Sequence, residues 1–97
     1  MAIEPPVRAD QSMNLYVVYL GGPVLPGRMG EDHEVIAVVA ADIPAARKAA
    51  KAKWKGFGDP HVDAVQQLDV VDGHKVNLVT ASADQRDATH IDPTWVP

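Results

Sequence analysis

Asn14-Leu-Tyr-Val-Val-Tyr-Leu-Gly-Gly22 is the stretch whose reading decides the fold. From Leu15 to Leu20 the run is unbroken and drawn from the β-branched, aromatic and aliphatic types that suit a pleated surface. A strand that is apolar on both faces must be covered on both faces, so it belongs in the middle of a sheet. The double glycine is read as its stop, which places strand 1 at 14–20.

Downstream, residues 21–33 hold four glycines and two prolines. Proline removes a donor and glycine permits positive φ, so this segment is read as one long loop, of the kind that often carries function. Strand 2 follows at 34–40 (Glu-Val-Ile-Ala-Val-Val-Ala), again apolar on both faces and a natural partner for strand 1. Asp42 then fits an N-cap with Pro44 in the first turn, and the helix is expected from Ile43 to about Lys55, with Gly56 just past its end. Ile43, Ala46, Ala50 and Trp54 share one face of that helix, and Arg47, Lys48, Lys51 and Lys55 the other.

Phe57-Gly58-Asp59-Pro60 reads as a turn before strand 3 at 61–70 and strand 4 at 74–80. A two-residue Asp72-Gly73 turn between them would mix apolar and polar residues on both faces. A three-residue Val71-Asp72-Gly73 loop pairs Val70 with His74 and collects Val62, Ala64, Leu68, Val70, Val76 and Leu78 on one face. The bulged hairpin is therefore expected, with His61, Asp63, Val65, Gln67 and Asp69 facing the other way. The segments 1–13 and 81–97 read as a loose leader and an irregular tail around a single domain at 14–80, with Trp95 able to dock.

This order predicts an α+β fold: a four-stranded, mainly antiparallel sheet, β-β-α-β-β along the chain, with one helix on one face. One helix covers one face only. Leu15, Val17 and Tyr19 oppose Tyr16, Val18 and Leu20, so the second face needs a cover, and a partner copy is expected to supply it. The competing cover is the tail.

Composition narrows the classes of function. The 97 residues make one domain at most. With no cysteine, disulfides, thiolate catalysis and cysteine-ligated zinc are excluded. No apolar run nears the roughly 20 residues that cross a bilayer, and no secretion signal is evident, so the cytoplasm is the expected address. A net charge of −4 argues against a surface-wide nucleic-acid footprint. The lysine face of the helix could touch phosphates, but no aromatic or second basic patch accompanies it, and a solvated face explains it better.

The order and spacing of these elements also resemble a known family. Leu-Tyr-Val-Val-Tyr-Leu-Gly-Gly, Glu31-Asp-His33-Glu, Trp54, Gly58-Asp59-Pro60, His61-Val-Asp63 and Val71-Asp-Gly73 resemble a small bacterial family known as a domain of unknown function, DUF1543, over about residues 13–82. The resemblance implies a domain occurring singly or in tandem and assigns no activity. The chain departs from the family pattern at Glu34, where Asp is usual, at Ala64, where Ser or Cys is usual, and at Val65, where Trp is usual.

Glu31, His33, His61 and Asp63 form the constellation with chemical potential. His61 and Asp63 are two apart on a strand and point to the same side. Glu31 and His33 sit at the foot of strand 2. If the strand ends converge, His33, His61 and Asp63 could hold a divalent metal, or the four could act as an acid–base pair or bind a small ligand beneath the 21–33 loop. The plainer account is a set of surface or hydrogen-bonded structural residues. Gly21-Gly22 invites a phosphate-cradle reading, but such a loop leads directly into a helix and this one does not. His90-Ile91-Asp92 echoes His61-Val62-Asp63 without a strand to carry it. No Ser-His-Asp or nucleophile-elbow pattern is present. The chain therefore reads first as a small homodimeric binding or interaction module, and alternatively as an enzyme or ligand binder built on that cluster.

Overall fold

The computed structural model describes residues 12–88; the expectations for residues 1–11 and 89–97, including Trp95 and the His90–Asp92 echo, lie outside the described residues. The fold is α+β. Its elements are β1 (Asn14–Pro23), β2 (Glu31–Ala40), α1 (Ile43–Ala52), β3 (His61–Gln67), β4 (Val70–Val71) and β5 (His74–Lys75).

The main sheet has three strands, not four, in the order β2-β1-β3, antiparallel throughout. The expectation that the Leu15–Leu20 run is central is met. Its even-numbered side chains, Tyr16, Val18 and Leu20, are fully buried under α1 with Val38, Ala40, Ala46 and Ala50. The alanines let the helix backbone lie close to the sheet. Asp42 caps α1, its carboxylate accepting from Ala45 N–H at 2.9 Å, a contact worth about 1 kcal/mol. The helix stops at Ala52, short of the expected Lys55, and Ile43 is exposed instead of facing the core.

Three expectations are corrected. First, the double glycine does not end β1. Pairing runs on to Pro23↔Glu31, so the connection shrinks to residues 24–30. Glycine survives inside a strand where something approaches the backbone too closely for a side chain. Here a Cβ on Gly22 would come within 2.6 Å of Trp54 Cζ2, and one on Gly21 within 2.8 Å of His61 Nε2.

Second, the Asp72-Gly73 hairpin takes the two-residue form that face-matching had disfavoured. Val71 pairs with His74 and Val70 with Lys75. Asp72 and Gly73 both have positive φ, 50° and 76°, as a type I′ turn requires. The expected register assumed that strand 3 ran unbroken to Val70, but β3 ends at Gln67, so β4 and β5 form a separate small sheet. No buried face remained to fix the bulged register.

Third, the bulge lies inside β3. Tyr19 pairs with Ala64 and Leu20 with Val62, leaving one extra residue on β3. Val62 and Val65 therefore both pack on the core, while Asp63 and Ala64 turn to the other side. Val65 had been expected on the polar face and Ala64 on the apolar one.

Candidate functional site

The face of the sheet away from α1 carries Leu15, Val17, Tyr19 and Gly21 of β1, flanked by His33, Val35, Ala37 and Val39 of β2 and by His61, Ala64 and Gln66 of β3. No described strand or helix covers it, although Asp87 and Ala88 of the tail line a hollow with Leu15, Ala37 and Val39 at its edge. Val35 is 68%, Val39 47% and Tyr19 40% exposed. This is the two-faced apolar sheet anticipated from the sequence, with its second side largely open among the described residues.

At one end of that face the four candidate residues converge. Gly21 is paired with His33 on one side and with His61 on the other. Lacking a side chain, it leaves a floor over which both imidazoles reach Asp63, which the β3 bulge keeps beside His61. His61 Nε2 lies 2.9 Å from Asp63 Oδ1, and His33 Nδ1 lies 3.7 Å from Asp63 Oδ2. The second nitrogen of His33, Nε2, is 3.6 Å from Glu31 Oε2. Asp63 thus stands between two histidines brought from opposite edges of the sheet. Tyr19, which sequence reasoning did not include, stacks flat on His33 with centroids 5.1 Å apart and 10° between planes. Its alternation with Gly21 along β1 was the available signal.

All four cluster side chains are at least partly exposed. Exposed ion pairs of this kind contribute at most about 1 kcal/mol each, so the cluster is a poor structural staple. Its chemistry is more distinctive: two nitrogen bases and two carboxylates, one of them held between both bases. Among the described residues no group of three or more His, Asp or Glu side chains is arranged to hold a metal ion. The imidazoles are turned on to Asp63 instead.

Elsewhere, Arg47, Lys48 and Lys51 lie exposed on α1, as expected of a solvated face. No described helix is long and apolar enough to cross a membrane.

Residues 28–78, which take in β2 to β5 and all four cluster residues, match the family model described as Domain of Unknown Function (DUF1543). No curated protein and no solved structure matches the chain.

Proposed function

We propose that this chain, which belongs to the DUF1543 family, is a small cytoplasmic interaction module that works as a homodimer through the open face of its sheet. The observation that carries this reading is the exposed apolar patch of Tyr19, Val35 and Val39, with half-buried Leu15 and Val17 beside them, on a sheet whose other face packs under α1.

The edges of the sheet point to the same face. On β2, Lys53 Nζ donates to Ala37 O at 3.0 Å and occupies the strand's outer backbone. On β3, the bulge and its Asp63 disturb the edge. Both are devices that discourage strand addition. A second copy suits the face because sheets stack on one another through such surfaces about 10 Å apart, and because its polar end offers donors and acceptors together. Sedimentation of the full chain at micromolar concentration is expected to give a dimer. A single monomeric species there sinks the reading.

A second reading has its own observation, the convergence of Glu31, His33, Asp63 and His61 over Gly21. In it, the cluster holds a small ligand at the polar end of the face. The double substitution His33→Ala/His61→Ala is then expected to leave the melting temperature within a few degrees of the parent, because exposed pairs contribute little. Loss of the fold would make the histidines structural.

A further inference from the structure

The open face carries two histidines at its polar end, and they bear on the conditions under which two copies meet. We propose that self-association through this face is governed by pH, the dimer tightening as His33 and His61 take up protons between about pH 8 and pH 6. The inference rests on the homodimer reading above and adds its regulation.

The histidines belong to the same surface as the apolar patch. Tyr19, itself part of that patch, stacks on His33 with ring centroids 5.1 Å apart. Val35 is two residues from His33 on β2 and shares its side of the sheet. Gly21, two residues from Tyr19 on β1, pairs with His33 on one side and His61 on the other. A second copy laid on Tyr19 and Val35 therefore comes down on the imidazoles as well.

The charges around those imidazoles are all of one sign. Asp63 of β3 lies 2.9 Å from His61 and 3.7 Å from His33, and Glu31 of β2 lies 3.6 Å from His33. The two longer separations exceed a hydrogen bond but are short enough for charge to act. Asp32 accepts from the backbone N–H of His33 at 2.9 Å. The central strand β1 adds only the Tyr19 phenol and the bare Gly21. Among the described residues, Glu31 and Asp63 are paired with imidazoles and not with lysine or arginine.

The direction of the effect follows from desolvation. An imidazole above its titration range is uncharged, so Glu31 and Asp63 then stand without a cation. Covering them in that state is opposed, because a charge taken from water alone costs far more than one taken as half of a pair. Two protonated imidazoles offset the two carboxylates, and a second copy then covers a cluster with no net charge. Two-fold symmetry applies the change twice, at four imidazoles in all. Association is thus coupled to proton uptake. The extra stability of the dimer is present below the histidine range and is lost as pH rises through it.

The test is sedimentation equilibrium of the full chain at pH 8.0, 7.0 and 6.0 and constant ionic strength, with a thermal melt at each pH to follow folding. The expected result is a dissociation constant about 10-fold or more lower at pH 6.0 than at pH 8.0, since each net proton taken up shifts it by up to about tenfold per pH unit. His33→Gln/His61→Gln should flatten that dependence. Asp63→Asn should tighten the dimer at pH 8.0, by removing a carboxylate that lacks a cation there. A parent dimer of equal strength at all three values, or one that weakens towards pH 6.0, overturns the pH inference and leaves the dimer standing. A parent that is monomeric throughout removes both. A dependence that persists unchanged in the double variant places the titrating group elsewhere, beginning with His74 on β5, and overturns the assignment to His33 and His61. If the double variant does not fold, Asp63→Asn decides, and a dimer no tighter than the parent at pH 8.0 overturns the inference.

Discussion

Replacing Trp54 with alanine is expected to lower stability by about 3 kcal/mol, the low end for a large aromatic because the ring is not fully buried. For a domain of this size that is roughly 15 °C in Tm. The ring lies just past α1, donates from Nε1 to Phe57 O at 3.3 Å, and packs on the core beside Ile36 and Val62. Its six-membered edge is held between two glycines. A Cβ on Gly22 would stand 2.6 Å from Cζ2, and one on Gly56 would overlap the same edge. Gly22→Ala should therefore destabilise by about 1–3 kcal/mol, the usual penalty for overpacking.

A double-mutant cycle separates this account from a general aversion to side chains at position 22. With Trp54→Ala already present, Gly22→Ala should become neutral or slightly stabilising, because glycine within a strand is itself unfavourable by about 0.5–1 kcal/mol relative to alanine. Thermal or urea denaturation of the four proteins measures the coupling. Additive effects would mean that the ring and the glycine do not confront one another.

The same glycines show what could and could not be read ahead of the structure. The Leu15–Leu20 run carries its own signal, since strand propensity and two-sided apolarity are local, and its central place and the helix over it followed. Gly21-Gly22 carries no local signal of why it is there. Its meaning comes from Trp54 and His61, more than thirty residues away along the chain, which fill the space above and below. Without them the pair reads as a stop, three residues before β1 ends at Pro23.

The Asp72-Gly73 turn failed for the opposite reason. Its local chemistry, two residues able to take positive φ, was correct, and a longer-range argument about faces overrode it. That argument needed an unbroken third strand, which the break after Gln67 removes. Of the site, the shared side of His61 and Asp63 was legible from a spacing of two. The meeting of His33 with them depends on register with β1, which no spacing within β2 or β3 reveals, and Tyr19 entered only through that register.

Val35→Asp, combined with Val39→Asp, is expected to abolish self-association while leaving the single chain folded. In the monomer both valines already face water, at 68% and 47% exposure, so replacing them there should change stability by no more than about 0.5 kcal/mol each. In a face-to-face dimer the same positions meet the other copy, and two-fold symmetry doubles each change. Four carboxylates would then lose water at the contact, with the histidines at the far end of the face and Lys53 already held on Ala37 O. Even about 2.7 kcal/mol of that penalty raises the dissociation constant about 100-fold. Sedimentation equilibrium of parent and variant, with thermal melts of both, reads association and folding separately. A variant that remains as dimeric as its parent would place the contact elsewhere. The edges would then be the first place to look, beginning with the Lys53–Ala37 contact on β2.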